Sequence, residues 1–182
     1  MRALVVYESM FGNTQAIARA VAEGLAGHAD VELVEVGAAA AAADRHVDLL
    51  VAGGPTHAHG MTTPDTRADA ARRAGDRLVS HGVGIREWLQ AIPVGTASGL
   101  AAAFDTRIQG PGLLWGSAAK TMAKSLTAAG YTMVVPPRSF LVGGPTGPLF
   151  DRLQHGEIER ARRWGAELGS KVASTTPEPQ SV

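Results

Sequence analysis

Ala3-Leu4-Val5-Val6-Tyr7-Glu8-Ser9-Met10-Phe11-Gly12-Asn13-Thr14 opens the chain, and the way this stretch reads decides the fold. Ala3 to Tyr7 is an unbroken apolar run, the pattern of a parallel strand covered on both faces rather than the alternation of a half-exposed one. Gly12 ends it. Beyond, Ile17, Val21 and Leu25 recur at i, i+4 and i+8, which marks one face of a helix that Gly27 closes. A strand that turns at glycine into a helix gathers unpaired backbone N–H groups and the positive end of the helix dipole at one point, where a phosphate is welcome. In the loop Ser9-Met10-Phe11-Gly12-Asn13-Thr14 the hydroxyls of Ser9 and Thr14 and the amide of Asn13 are candidate donors, and Gly12 lets the main chain approach an anion closely. The loop holds no lysine and matches neither G-x-x-x-x-G-K-[ST] nor G-x-G-x-x-G, so a phosphate monoester suits it better than a nucleoside triphosphate or a dinucleotide. The alternative is an ordinary strand-to-helix turn capped by Asn13 or Thr14.

Outward from this stretch, strands and helices alternate. Val31 to Val36 reads as a second strand, and the alanine run from Ala38 to Ala43 as a short helix by propensity. Val47 to Ala52 is a third strand stopped by Gly53-Gly54-Pro55, and Leu100 to Phe104 a fourth stopped by Asp105. Between them Thr63-Pro64-Asp65 signals a helix start for about Pro64 to Ala74, and Ile85 to Ile92 gives another, closed by Pro93. A helix from Ser117 to Ala129 stops at Gly130. The fifth strand, Tyr131 to Val135, is interrupted by Pro136-Pro137 and resumes over Ser139 to Val142. A last helix runs from about Glu157 to Val172, after which residues 174–182 read as a disordered tail. The expectation is one α/β domain over residues 1–173: a doubly wound five-stranded parallel sheet in the order 2-1-3-4-5 with helices on both faces, a three-layer αβα sandwich. The loops after strands one, three and four would then meet at the carboxyl edge, where such sheets bind ligands.

Composition narrows the function. The 182 residues carry 17 Lys plus Arg against 17 Asp plus Glu, so no net field draws the protein to nucleic acid or to an anionic membrane. The absence of cysteine removes thiolate nucleophiles, disulfides, iron–sulfur ligands and cysteine zinc sites. With the first strand starting at about Arg2 and no apolar stretch of membrane-spanning length, the expectation is a soluble cytoplasmic protein.

The loop Ser9 to Thr14 resembles the T-x-T-G-x-T phosphate loop of the flavodoxin family, and Val51-Ala52-Gly53-Gly54-Pro55-Thr56 is similar to that family's flavin-flanking loop after strand three. The segment from Ala101 through Asp105-Thr106-Arg107 to Ser117 is placed like the third, flavin-edge loop. This resemblance covers about Met1 to Val172 and implies non-covalent FMN in electron transfer or flavin-dependent reduction. It places the phosphate on Ser9, Met10, Phe11, Gly12, Asn13 and Thr14. The ring goes to Pro55, Thr56, His57, Ala58, His59 and Gly60 on one side and Asp105, Thr106 and Arg107 on the other. The partner it implies is a redox protein or an NAD(P)H-linked reductase. Three features depart from the family pattern. Phe11 stands at a hydroxylic position, which shifts phosphate binding toward the backbone. His57, His59 and Met61 occupy the second loop where a flanking aromatic is usual, and Trp115 is the first aromatic of the third. Typical members are strongly acidic, whereas this chain is neutral, which suits a low-potential shuttle less. Two alternatives therefore stand beside the carrier: an FMN-dependent NAD(P)H:quinone-type reductase, and a flavodoxin-fold binding module that has lost its flavin.

Several residues have two readings. His57 and His59 at i, i+2 lack a third ligand at a recognisable spacing, so a flavin contact or a polar loop is preferred to a metal. Arg107 either stabilises an anionic reduced flavin or pairs with Asp105 at the surface. Trp115 either stacks on the ring or packs locally, while Trp88 and Trp164 lie at apolar spacing and read as core. Arg67, Arg72, Arg73 and Arg77, within the 61–83 insertion, form either a docking surface or lid, or a solvated helix face.

Overall fold

The computed structural model describes residues 1–39, 47–57, 60–108, 116–143 and 152–175. Its elements are β1 (Arg2–Tyr7), α1 (Asn13–Leu25), β2 (Asp30–Glu35), β3 (Leu49–Pro55), α2 (Pro64–Ala74), α3 (Ile85–Gln90), β4 (Leu100–Ile108), α4 (Ala118–Ala129), β5 (Thr132–Met133), β6 (Arg138–Val142) and α5 (Glu157–Thr175). The sheet is parallel in the order β2-β1-β3-β4-β5. β6 also pairs with β4, from Phe104↔Arg138 to Ile108↔Val142, beyond the two-residue pairing of β5 at Leu100↔Thr132 and Ala101↔Met133. β5 and β6 are thus two halves of one edge position parted by Pro136-Pro137, because proline brings no N–H to a ladder. β5 is shorter than Tyr131 to Val135 because the Tyr131 N–H bonds back to Leu126 O at 3.0 Å and closes α4 instead.

The unbroken apolar strands are buried on both faces, as their composition requires. On one face Leu4, Val6, Leu50, Ala101 and Ala103 pack with Ile85, Trp88, Met122 and Leu126 of α3 and α4. On the other Val5, Val51, Ala102 and Phe104 pack with Ile17, Val21 and Leu25 of α1 and Trp164 and Leu168 of α5. Trp88 and Trp164 are core residues, as their spacing implied.

Two expected strand ends move outward. β3 continues through Gly53-Gly54-Pro55, in register with Phe104, Asp105 and Thr106. At Gly53 a Cβ would stand 2.1 Å from Phe104 Cζ, so the missing side chain is filled by the ring of the next strand. Phe104 is held there by edge contacts to Phe140 and Trp164, with centroids 5.9 and 6.0 Å away. β4 likewise runs past Asp105, since β6 supplies partners as far as Ile108. Glycine and proline act as breakers where nothing covers them, and here the sheet does.

The helix at Pro64 starts as expected, with a capping box in which Thr66 N–H donates to Thr63 Oγ1 and Thr63 N–H to Thr66 Oγ1. α4 is capped by Ser117 Oγ, which accepts from Lys120 N–H at 3.3 Å. Val36–Ala38 forms a 3-10 turn. Most of the expected alanine helix lies outside the described residues, as do Trp115 and residues 176–182 of the expected tail, while α5 extends to Thr175.

Candidate functional site

The carboxyl ends of β1, β3 and β4 bring the three loops together. Ser9 is fully buried and heavily used: its N–H donates to Ser80 Oγ at 2.9 Å, its carbonyl accepts from Ser80 N–H at 2.8 Å, and its Oγ accepts from Gly12 N–H at 3.1 Å. Val79 N–H bonds to Met10 O, so the end of the 61–83 insertion runs alongside the loop as a brace. Met10 turns into the core. Thr14, also buried, shares a 2.7 Å hydrogen bond with Thr106 Oγ1, which ties the first loop to the third. Phe11, Gly12 and Asn13 remain half-buried at the rim. Helix α1 begins at Gly12 with φ 89° and no side-chain cap, so the alternative of a turn capped by Asn13 or Thr14 is not what forms. A Cβ at Gly12 would meet nothing within 4 Å, so the turn into α1 is open at that position.

Ser9, Met10, Phe11, Asn13 and Thr14 line a cleft of about 150 Å³ together with Pro55, Thr56, His57, Thr106 and Arg107. Thr56 N–H extends the β3–β4 pairing to Thr106 O at 2.9 Å, and His57 and Gly60 exchange main-chain hydrogen bonds. Ala58 and His59 lie outside the described residues. Burial holds the His57 imidazole below its ordinary pKa, with the charges of Arg73 and Arg67 acting the same way and hydrogen bonding to the Thr66 backbone opposing. That favours a neutral ring at physiological pH.

Asp105 and Arg107, adjacent in expectation, part company. Asp105 is fully buried and faces α4: its Oδ2 accepts from Ser117 Oγ at 2.6 Å, Ala119 N–H at 2.9 Å and Thr56 Oγ1 at 3.0 Å. Thr56 Oγ1 in turn accepts from Ala118 N–H at 2.9 Å. Asp105 therefore backs the cleft instead of lining it, and fixes Thr56 against the start of α4. Arg107 does line the cleft. Its Nε is buried without a hydrogen-bond partner among the described residues, and no surface pair with Asp105 forms.

Reading the sequence missed Glu8. It is fully buried one residue before the loop, where it accepts from Thr62 Oγ1 at 2.7 and 2.9 Å and from Ile85 N–H at 2.8 Å. Burial raises its pKa above the usual carboxylate value, against the lowering effects of Ile85, Thr62 and Arg67. The available signal was a carboxylate directly following five apolar residues, where the chain is still inside the sheet. Around it Arg67 bonds to Thr62 Oγ1 and to Glu87 at 3.0 Å, and Arg86 reaches the carbonyls of Met61 and Thr62. Arg67 is thereby spent inside the protein and is not part of a docking surface. Arg72 pairs with Asp69 at the exposed side of α2. Arg73 faces a groove of about 330 Å³ between α2 and the cleft, lined by Thr66, Asp69 and Ala70 and, on the cleft side, Phe11, Thr56, His57 and Ile108. Among the described residues no three histidine, aspartate or glutamate side chains gather as a metal site, and no helix is long and apolar enough to cross a membrane.

No protein-family model matches the sequence, and no curated protein matches it. Solved structures do match in shape over nearly the whole chain. A flavodoxin from the domain Archaea is 20% identical with TM-score 0.62, covering 95% of this chain and 99% of its own. Oxidised flavodoxin 2 from Bacillus cereus is 18% identical with TM-score 0.64, covering 97% and 100%. A WrbA-like flavodoxin protein from Agrobacterium tumefaciens is 19% identical with TM-score 0.56, covering 96% and 99%. The chain has a divergent flavodoxin-like fold, with the sheet order read from its sequence.

Proposed function

We propose that the protein binds FMN across the three loops and works in redox chemistry. The observation that carries this reading is the uncapped start of α1 at Gly12, which opens onto a cleft at the switch point between β1 and β3. The residues present fit the group. The Ser9–Thr14 loop would take the phosphate through first-turn N–H groups, Asn13 and the Thr14 hydroxyl. Thr56, His57 and Gly60, with Ala58 and His59, and Thr106 with Arg107 would take the ring. The buried, unpartnered Arg107 Nε is a donor in need of an acceptor, which a ring carbonyl or anionic ring edge provides. Bound FMN would supply one- or two-electron transfer. Titration of the purified protein with FMN and with riboflavin, followed by flavin fluorescence, tests the reading. Saturable quenching with tighter binding of FMN supports it, and unchanged fluorescence with both overturns it.

The same Arg107 favours a second reading, an FMN-dependent reductase of a quinone-type acceptor fed by NAD(P)H. A cation beside the ring stabilises the anionic reduced flavin that a two-electron reductase passes through. Steady turnover with NAD(P)H and a quinone alone supports the reductase. Turnover that needs an added reductase protein supports the carrier and its redox partner.

A further inference from the structure

We infer that α2 is a wall of the flavin-ring site and that Arg73 is the cation on that wall facing the ring. The inference rests on the FMN reading and starts from size. Pockets for ligands of this kind run from about 300 Å³ upward. The cleft alone, about 150 Å³, accommodates the phosphate end and little more. The groove of about 330 Å³ shares Phe11, Thr56, His57 and Ile108 with the cleft, so the two are one continuous depression. A ligand anchored by its phosphate among Ser9, Asn13 and Thr14 has room to extend along it.

The walls suit a planar heteroaromatic ring. Phe11, Ala70 and Ile108 give apolar contact, and the half-buried His57, its pKa held down by burial, gives a flat polar edge. α2 is a fixed wall. Its start is anchored by the capping box at Thr63 and by the buried Glu8–Thr62–Arg67–Glu87 network. Of the two neighbouring arginines, Arg72 is paired with Asp69, while Arg73 has no ion pair among the described residues and lies on the groove. A planar guanidinium can stack on a ring face or donate to its carbonyls, and it brings a permanent positive charge that a tryptophan lacks.

The test is equilibrium titration of the full chain with riboflavin, which has the ring and no phosphate, and with FMN. Arg73→Gln should weaken both by the same factor, about threefold to thirtyfold for loss of a partly desolvated cation–ring contact, leaving the FMN-to-riboflavin affinity ratio unchanged. Lys124→Gln, which removes an exposed cation of α4 that lines neither the cleft nor the groove, should change neither. Redox titration gives an independent readout: the midpoint potential of bound FMN should fall in Arg73→Gln, because a positive charge near the reduced ring is gone. Wild-type affinities in Arg73→Gln overturn the inference, as does a loss confined to FMN, which would place Arg73 at the phosphate. Wild-type protein that binds neither flavin overturns the FMN reading itself, and the wall assignment with it.

Discussion

Replacing Asp105 by alanine should be among the costliest single changes near the cleft. One carboxylate oxygen there receives three hydrogen bonds, from Ser117 Oγ, Ala119 N–H and Thr56 Oγ1, with no solvent to stand in for it. Bonds to a charged acceptor contribute roughly 1.5–3 kcal/mol each, but the desolvation of the carboxylate offsets part of the sum. The larger effect is what alanine leaves behind: a buried Ala119 N–H with no acceptor and two hydroxyls needing new partners. A loss of about 3–5 kcal/mol follows. For a chain of this length that is a fall in Tm of about 6–20 °C. Asp105→Asn keeps a carbonyl oxygen for the same donors but loses the charge at the start of α4 and sets an NH2 group where Oδ1 is buried without a partner, so it should cost about 2–4 kcal/mol. Urea unfolding at pH 7 measures both, and the midpoint should shift while the slope stays constant. The same variants report on function, because Thr56 is aimed by this carboxylate: FMN affinity should fall in the alanine variant under conditions where it is still folded. Asp105→Ala within 1 kcal/mol of wild type would refute the brace.

Thr14→Ala should weaken FMN about ten- to a hundredfold and leave riboflavin nearly unchanged, because the lost hydroxyl is assigned to the phosphate. Its bond to Thr106 also disappears, so about 1 kcal/mol of stability should go with it, read by thermal melts. Glu8→Gln tests a pH effect. The native pKa of Glu8 lies above its unfolded value, so native protein binds the extra proton and wild-type stability falls as pH rises through the window between the two. The glutamine variant should lack that fall, and urea midpoints measured from pH 4.5 to 7.5 should therefore converge or cross in favour of the variant as pH rises. Gly53→Ala should destabilise by several kcal/mol, since the new Cβ would lie 2.1 Å from a ring that Phe140 and Trp164 hold in place. A soluble, cooperatively melting Gly53→Ala at wild-type Tm would contradict the packing at that crossing.

Much of this architecture is local and was therefore legible in the sequence. Ala3 to Tyr7 and Val47 to Ala52 are too apolar to face water, Thr63-Pro64 carries its own cap, and Gly130 and Pro136-Pro137 state where backbone must turn or pairing must lapse. The order of the sheet follows from these units. What stayed hidden depends on distant partners. Gly53-Gly54-Pro55 has the composition of a stop, and only the ring of Phe104, fifty-one positions away, makes it strand. Asp105 has the look of a strand-ending surface acid until Ser117 and Ala119 are set against it. Glu8 meets Ile85 across 77 positions, and Ser9 meets Ser80 across 71. The arginine-rich stretch was the least legible. Four cations on eleven residues look alike in sequence, yet one is spent in the interior, one is paired at the surface and one lies on the groove.

The broken edge strand has a consequence for how the protein behaves in a crowd. A chain with equal numbers of cations and anions has no net repulsion to keep its copies apart, so its sheet edges must not invite a neighbour's backbone. One edge is divided by Pro136-Pro137 into pieces of two and five residues, and the outer side of the longer piece is covered where Gly143 N–H donates to Arg152 O and Leu141 O accepts from Gln154 N–H. The opposite edge, β2, carries the outward carboxylates of Asp30 and Glu32, which would face their own copies across any edge-to-edge pairing. Replacing both prolines with valine would restore two N–H donors between the pieces and lengthen the bare ladder on that edge, which invites association through the backbone.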